Sequence, residues 1–364
     1  MMHVMGTVYQ NLGLYSRAQS LFEQAAEIRR SSLGPDDPET LKTLNSLAQV
    51  LGREGKFADA DKIARQDLDS MRRTLGPKDP ETLKTMGVLA AIVEAEGHLT
   101  EAEKLSRETL ESAQAQLGTD NPDVFRYRNN LASVLDSQAR YPEAEPLFRQ
   151  NLEIAERIFG PDHPGTLNAR NNLASCLANQ GRPAEAEKIQ RELLESERRV
   201  YGPEHPETLG AISNLGNYLS DQEHYPEAEV LQREALEGQR RVLGPENPET
   251  LRTMLNLVNA ISEQHRYAEA EKLQLETIEL ERRVNGPDHP ETALCVYNLA
   301  CIKALAGHKE EALVILRQCL EHGMPVHTAL HIETDEDLKS LQGDPRFDAI
   351  VAEAHKLAQR PPAR

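Results

Sequence analysis

Apolar positions recur along this chain with the spacing of two amphipathic helices in every 42 residues. We count positions within each repeat as offsets from a recurring proline, which is found at Pro38, Pro80, Pro122, Pro164, Pro206, Pro248 and Pro290. Offset nine is always Leu, offset ten is small or β-branched, and offset thirteen is apolar in six of the seven repeats. At about 100° per residue these offsets share one face of a helix, which we call helix A.

A second amphipathic helix, helix B, follows in each repeat after a short break. Offset twenty-two is Ala in all seven repeats, and offsets twenty-five and thirty are always Leu or Ile. An invariant small residue favours a close crossing between two helices. Because neither helix can bury its apolar face alone, the pattern predicts an all-α fold in which successive helix pairs stack.

Glycine and proline mark the ends of the predicted helices. A glycine precedes each offset-zero proline by four residues, from Gly34 to Gly286, and it suits the left-handed position that ends a helix. The proline suits the first position of helix A, and the residue before it suits the N-cap. That residue is Asp, Asn or His. Since the histidines belong to a repeated turn, we assign them no role as metal ligands.

The repeat also predicts the organisation of the chain. Residues 1–34 form a truncated first repeat, in which Ala18 takes the invariant alanine position and Met5 the leucine position. Seven repeats follow at 35–322, the last one shorter, and residues 323–358 are expected to form C-terminal capping helices. Residues 359–364 are expected to be disordered. The first helix lacks a cap, so we expect either part of a longer protein or a truncated capping helix.

Helix A carries polar residues on the side away from its apolar stripe, at offsets four, seven, eight and eleven. Asn recurs there although it is a mediocre helix former, because its amide competes for backbone hydrogen bonds. An amide both donates and accepts, which suits binding the backbone of an extended peptide. The alternative is that these amides join neighbouring helices. The candidate binding residues are Lys42, Asn45, Lys84, Arg126, Asn129, Asn130, Asn171, Asn172, Asn214, Asn217, Asn256 and Asn259.

Basic residues occupy two further offsets of helix A. Offset four is basic in three consecutive repeats (Lys42, Lys84 and Arg126), which predicts a basic strip that favours a partner with carboxylates. Arg128 and Arg170 interrupt the apolar stripe at offset six. We expect their stems to run along the core while the guanidinium groups reach water, with ion pairs to acidic neighbours as the alternative.

Composition narrows the classes of function. Asp and Glu number 59 against 41 Lys and Arg, so the net charge is −18, which argues against binding nucleic acid. No run of 18 or more apolar residues occurs, so we expect no transmembrane helix, no membrane partner and a cytoplasmic location. The four cysteines lack CxxC spacing. The known nucleotide-binding, hydrolase and metalloprotease motifs are absent, and we predict no enzyme activity, catalytic residue, metal or cofactor.

Three features resemble the tetratricopeptide repeat: the Leu-Ala pair of helix A, the Gly then Tyr of the break (Tyr141, Tyr225 and Tyr267), and the fixed Ala of helix B. The 42-residue length, with NNLA, YPEAE and LGPDHP-like segments, resembles the kinesin light chain type, and we expect a bacterial source. The resemblance covers roughly residues 1–322. It implies a right-handed superhelical solenoid of antiparallel helix pairs, in which helix A lines a concave groove and groove asparagines contact peptide backbones.

We therefore predict a protein–protein interaction scaffold that binds an extended peptide or a partner protein in this groove. Two alternatives stay open. The DPRF segment near the C-terminus resembles the tail of bacterial multidomain proteins, some with a Ser/Thr kinase upstream, which favours a regulatory or sensory portion of a larger signalling protein. The second alternative is a module that self-associates through the N-terminal repeat face.

Overall fold

The structure, a computed structural model, describes residues 1–11 and 14–358. Every regular element within these ranges is a helix, so the predicted all-α class is confirmed. The chain forms two compact units, Met1–Gln180 and Gly181–Arg364, which we describe in turn. The tail that we expected to be disordered, residues 359–364, lies outside the described residues.

The first unit is a series of paired helices, and within its described part each helix packs against the next along the chain. Odd-numbered helices are A helices and even-numbered ones are B helices. They are α1 Met2–Asn11, α2 Tyr15–Leu33, α3 Pro38–Arg53, α4 Phe57–Thr74, α5 Pro80–Ala95, α6 Leu99–Leu117, α7 Pro122–Ser137, α8 Tyr141–Phe159 and α9 Pro164–Asn179.

The second unit continues the same alternation and then departs from it after α16. Its helices are α10 Pro183–Val200, α11 Pro206–Ser220, α12 Tyr225–Val242, α13 Pro248–Ser262, α14 Tyr267–Val284, α15 Pro290–Leu305, α16 Lys309–Glu321, α17 Val326–His331, a 3-10 helix Glu336–Leu341, and α18 Pro345–Ala358. Among the described helices of both units, none combines the length and apolar character needed to cross a membrane.

The N-cap residues begin helix A in the way that the sequence predicts. The side chains of Asp37, Asp79, Asn121 and Asn247 each accept a hydrogen bond from the backbone N–H two residues later. The histidines at this position do the same through Nδ1. His163 accepts from Gly165 at 3.0 Å, and His205 accepts from Glu207 at 3.3 Å. These caps satisfy N–H groups that a helix N-terminus leaves unpaired.

A threonine at offset two also closes the junction, and our sequence analysis overlooked it. The Thr208 hydroxyl donates to the carbonyl oxygen of Gly202 at 2.9 Å, and Thr166 donates to Gly160 at 2.7 Å. This bond satisfies a carbonyl that follows the end of helix B, where the chain turns. In the second repeat the corresponding Thr82 hydroxyl is buried and has no partner among the described residues.

The predicted core positions are buried throughout the repeats. The alanine at offset twenty-two has no exposed surface in any of the seven repeats, as Ala60 and Ala144 illustrate. The leucine at offset nine is between 1% and 7% exposed, with Leu257 at the low end and Leu299 at the high end. The complete burial of this alanine is consistent with the close helix crossing that it predicts.

The turn from helix A to helix B requires a residue in the left-handed region of backbone conformation. Gly97 occupies that position in the second repeat with φ 82°. Three repeats place a residue with a side chain there: Ala139 at φ 57°, Glu223 at φ 63° and His265 at φ 61°. A side chain in this conformation costs roughly 1–2 kcal/mol, so these turns are locally strained.

The two arginines at offset six do not send their guanidinium groups into water, so that expectation was wrong. Arg128 is completely buried. Its Nη1 donates to Asn151 Oδ1 at 2.9 Å and its Nη2 donates to the Thr119 carbonyl at 3.3 Å, while burial lowers its pKa. Arg170 donates from Nη2 to Glu156 Oε1 at 2.7 Å, which is the alternative that we considered. A buried guanidinium needs such partners because its N–H groups have lost water.

Residues 323–358, which we assigned to a C-terminal cap, form α17, the 3-10 helix and α18. Their apolar residues Leu338, Phe347 and Ile350 are buried in one core cluster with residues of α15 and α16. The Asp335 side chain accepts from the Asp337 N–H and so begins the 3-10 helix. This segment covers the apolar faces that a further repeat would cover in a longer array.

Candidate functional site

Neighbouring A helices lie side by side within each unit, α3 against α5 and α5 against α7 in the first, and α11 against α13 in the second. We call the residues at offsets four, seven, eight and eleven of these helices the A face. Lys84 and Asn259 are exposed on it, whereas Asn45 is only 2% exposed. The other predicted residues are half-buried: Lys42, Arg126, Asn129, Asn130, Asn171, Asn172, Asn214, Asn217 and Asn256.

Hydrogen bonds join polar side chains of neighbouring A helices in the first unit. Asn172 Nδ2 donates to Asn129 Oδ1 at 2.9 Å, which links α9 to α7. Ser133 Oγ donates to Glu94 Oε1 at 2.8 Å, which links α7 to α5. Part of the ladder therefore serves the alternative that the sequence left open, since these bonds hold adjacent repeats together.

Burial distinguishes Asn45 from the other asparagines at offset seven. Its Oδ1 accepts a long hydrogen bond of 3.5 Å from Gln49 Nε2, and Gln49 Oε1 in turn accepts one of 3.4 Å from Gln10. Periodicity places Asn45 on the correct side of the helix but does not show that side chains of α1 and α3 cover it.

In the second unit a buried glutamine supports the A face. Gln232 of α12 has no exposed surface, and its Nε2 donates to Asn217 Oδ1 and to the Ser213 carbonyl, each at 2.9 Å. The Ser213 hydroxyl donates back to Gln232 Oε1 at 2.9 Å. Gln190 and Gln274, one repeat before and after, donate to carbonyl oxygens of the next A helix. Gln recurs at offset twenty-six in these three repeats, and this recurrence is the sequence signal for a buried amide beside helix A.

The amides keep unused hydrogen-bonding capacity. Asn129 uses its oxygen, and its NH2 group has no partner within the described ranges. No side-chain partner for Asn259 is found in the same ranges, and its side chain is exposed. An amide with one group fixed and the other open can bind a ligand without a large loss of side-chain freedom.

The three basic residues of the predicted strip differ in how freely they could pair with a ligand. Lys42 lies 3.4 Å from Glu39, and Arg126 lies 3.3 Å from Asp123 with its guanidinium over the Tyr127 ring at 4.7 Å. Lys84 is exposed and has no ion pair among the described residues. The strip therefore offers one accessible lysine, while the other two charges are partly offset by their own helices.

The Glu94 carboxylate lies beside the A face of the first unit, between α5 and α7. Burial raises the pKa of Glu94, the nearby Asp136 carboxylate acts in the same direction, and hydroxyl donors on Ser133 and Ser137 oppose the change. Asp136 itself accepts from Asn179 Nδ2 at 2.9 Å. These contacts form a network of hydroxyl and amide donors with carboxylates along α5, α7 and α9.

Close to the end of the second unit's A face, the structure brings together a group that the sequence did not suggest. Cys301 Sγ and one carboxylate oxygen each of Asp335 and Asp337 lie within 4.8 Å of one another. Tyr297 donates its hydroxyl to Asp335 Oδ2 at 2.5 Å, and the Asp337 N–H donates to Asp335 Oδ1 at 3.0 Å. Both oxygens of Asp335 are thus engaged, while the carboxylate of Asp337 has no hydrogen-bond partner in the described part of the chain.

Comparison with known proteins supplies a family for this arrangement. The family model described as tetratricopeptide repeat matches residues 1–72, 81–150, 123–196, 168–241 and 249–322. These ranges cover most of the chain and coincide with the repeats described above. No curated protein is a detectable sequence relative.

Several solved structures share the fold. The apo form of RapI has a TM-score of 0.63 and 10% identity, with 98% of this chain and 96% of that chain covered. BtubC (BKLC) from P. vanneervenii has a TM-score of 0.53 and 24% identity over 64% of this chain and 92% of that chain. Repeats from Podosopora anserina described as those of a kinesin light chain have a TM-score of 0.46 and 23% identity over 54% and 93%. The first two similarities show the fold alone, and the third, with a TM-score below 0.5, supports no conclusion.

Proposed function

The chain belongs to the tetratricopeptide repeat family, with repeats like those of kinesin light chains, and from this premise we propose that its A face binds an extended segment of a partner protein. Repeats of this family generally serve as protein–protein interaction scaffolds. Stacked repeats suit that role because each one adds the same face to an extended surface. The bacterial source and the cytoplasmic location stay predictions.

The observation that carries the proposal is the row of partly exposed amides on adjacent A helices. An extended peptide presents one N–H and one C=O per residue, and both need partners when they leave water. The open NH2 group of Asn129 can donate to a peptide carbonyl, and the exposed amide of Asn259 can donate and accept. Because inter-helix bonds already hold Asn129 and Asn172, binding costs little additional side-chain entropy.

Charge adds a preference within the first unit. Lys84 is exposed without an ion pair in the described part of the chain, and Lys42 and Arg126 lie at the same offset of the neighbouring repeats. A partner segment with Asp or Glu opposite α5 would pair with Lys84 at an exposed site. Such a pair contributes little affinity, about 0–1 kcal/mol, and mainly affects orientation and the rate of association.

The experiment compares two triple variants in the selection of random linear peptides. In the first, Asn129, Asn171 and Asn214 of the A face become Ala. In the second, three exposed glutamines of B helices, Gln24, Gln66 and Gln150, become Ala and serve as the matched control. Circular dichroism first establishes that both variants keep the helicity of the parent protein.

We expect the parent protein and the glutamine variant to enrich the same peptides and the asparagine variant to lose them. With a selected peptide, each lost amide contact should weaken binding by about 0.5–1.5 kcal/mol, so the triple change should raise Kd by tenfold or more. Equal affinity of the asparagine variant and the parent protein would show that the peptide binds elsewhere.

A second function, self-association, rests on a different observation. Met5 takes the position that is between 1% and 7% exposed in the other repeats, yet it is 45% exposed, and Val4 and Val8 on the same helix are also exposed. A second copy that packs on α1 would cover these residues. Light scattering over a wide range of concentration tests this, and Met5→Glu should dissociate any dimer; a monomer at every concentration would exclude it. A role as the regulatory portion of a larger signalling protein stays a prediction.

A further inference from the structure

A small cavity lies on the A face of the second unit, where the 3-10 helix meets α13 and α15. Its volume is about 270 Å³. Three of its lining residues are asparagines, Asn256 and Asn259 from α13 and Asn298 from α15. They occupy offsets eight and eleven, so the cavity is part of the A face and not a separate surface. We call it the C-terminal pocket.

The C-terminal pocket contains negative charge without a matching cation. Glu263 and Asp337 line it, and no Lys or Arg is present among the described residues that do so. Burial raises the pKa of Asp337, and the neighbouring carboxylates of Asp335 and Glu263 raise it further. A carboxylate in this position is stabilised by any cation that enters, because a nearby positive charge compensates for lost hydration.

An independent feature also indicates a ligand. Ser262 lines the pocket at 7% exposure, and its hydroxyl has no hydrogen-bond partner within the described ranges. A hydroxyl without a protein partner at the wall of a cavity can donate to, or accept from, a ligand or water that enters it. Ser262 and Glu263 are adjacent in the chain, and both line the cavity.

Apolar side chains of the pocket indicate what kind of cation fits. Val258, Ile302 and Leu305 line it together with the polar groups. A Lys or Arg side chain has an alkyl stem that packs on apolar surface and a charged head that pairs with carboxylates. A metal ion would gain nothing from contact with the apolar side chains of the pocket. In addition, both oxygens of Asp335 already accept hydrogen bonds, from the Tyr297 hydroxyl and from the Asp337 N–H.

We propose that the C-terminal pocket binds a Lys or Arg side chain of the partner segment, with its charge at Asp337 and Glu263 and its stem against Val258 and Leu305. This inference rests on the proposed function, because it adds a sequence preference to the peptide site of the A face. It predicts one position of the bound segment at which a basic residue is required.

The test uses random linear peptides displayed on phage, selected against three full-length proteins, with and without EDTA. These are the parent protein, Asp337→Asn, and Glu336→Gln as the control. Glu336 is on the same 3-10 helix but is exposed and pairs with Lys339 at 3.4 Å, outside the pocket. One enriched peptide is then synthesised with its basic residue and with norleucine in its place, and Kd is measured by fluorescence anisotropy.

We expect the parent protein and Glu336→Gln to enrich peptides with Lys or Arg at one fixed position, independently of EDTA. Replacing the basic residue with norleucine should raise the Kd about tenfold or more for these two proteins, as expected when a close charge pair is lost. For Asp337→Asn the same replacement should change the Kd little. Three results would overturn the inference but leave peptide binding in place. They are enriched peptides without a basic consensus, an equal loss of affinity with norleucine in all three proteins, and a preference for basic residues that EDTA abolishes. No enriched peptide at all would overturn both proposals.

Discussion

Replacing Asp67 with Asn should change how the stability of the first unit depends on pH. Asp67 lies on α4 at 1% exposure, and neither carboxylate oxygen has a hydrogen-bond partner among the described residues. Burial raises its pKa to about 8. At neutral pH the folded protein therefore keeps this carboxyl largely protonated.

The direction of the effect follows from the protons bound in each state. The unfolded chain releases the Asp67 proton near the ordinary pKa of 3.8, whereas the folded chain holds it until about pH 8. Between these values the folded state binds more protons, so stability falls as pH rises, by about 1.4 kcal/mol per pH unit. From pH 5 to pH 7 the loss due to this one group is about 2.7 kcal/mol.

Asn has the shape of the protonated carboxyl and does not ionise. The free energy of unfolding of Asp67→Asn should therefore exceed that of the parent protein by an amount that grows by about 1.4 kcal/mol per pH unit across this window. Urea unfolding at pH 5, 6 and 7 measures the difference, and hydrogen exchange in α4 and α5 locates it. Other buried acids, such as Glu197 with a pKa raised to about 7 by burial, cancel in the comparison.

The control is Asp69→Asn, because Asp69 lies on the same helix and is exposed. The difference in the free energy of unfolding between Asp69→Asn and the parent protein should stay nearly constant with pH. If Asp67→Asn showed the same constant difference as Asp69→Asn, the claim that the folded state holds a proton on Asp67 would be refuted.

Three further predictions concern the repeat itself, each measured by urea denaturation. Thr208→Val should lower the free energy of unfolding by about 1–3 kcal/mol, because it leaves the Gly202 carbonyl without its donor. Thr82→Val should leave that free energy unchanged, because the Thr82 hydroxyl has no partner in the described chain. Equal losses in the two variants would contradict the role of the threonine at the junction. Ala144→Leu should destabilise by roughly 1–3 kcal/mol through overpacking, and a neutral result would refute the close crossing. Ala139→Gly should stabilise by about 0.5–1 kcal/mol by relieving φ 57°, and destabilisation would contradict that strain.

The helices and the core could be predicted from the sequence because their determinants are local and repeated. Proline and glycine fix where helix A begins and helix B ends, and the cap residue is adjacent to the proline. Burial of Ala144 follows from its recurrence at one offset, since every repeat meets the same neighbours. These features depend on residues close in sequence or separated by a whole repeat.

Several polar contacts could not be predicted because their partners occur together in one repeat only, or because one partner lies outside the repeats. Arg128 finds its partner Asn151 on the next helix, and no other repeat has this pair. Asn45 and Asn171 share offset seven, yet only Asn45 is covered by its neighbours. The carboxylate of Asp337 reaches the A face from a 3-10 helix that belongs to no repeat. Such differences decide which amides remain available to a ligand.

The most direct test of the account is to locate a bound peptide by photo-crosslinking. Benzoylphenylalanine replaces either Ser175, which is exposed on the A face at offset eleven of α9, or Gln150, which is exposed on helix B at α8. A peptide from the selections is added, irradiated and analysed by mass spectrometry. The account predicts a crosslink from position 175 and none from position 150. Crosslinks from position 150 alone would contradict the claim that helix A forms the binding surface.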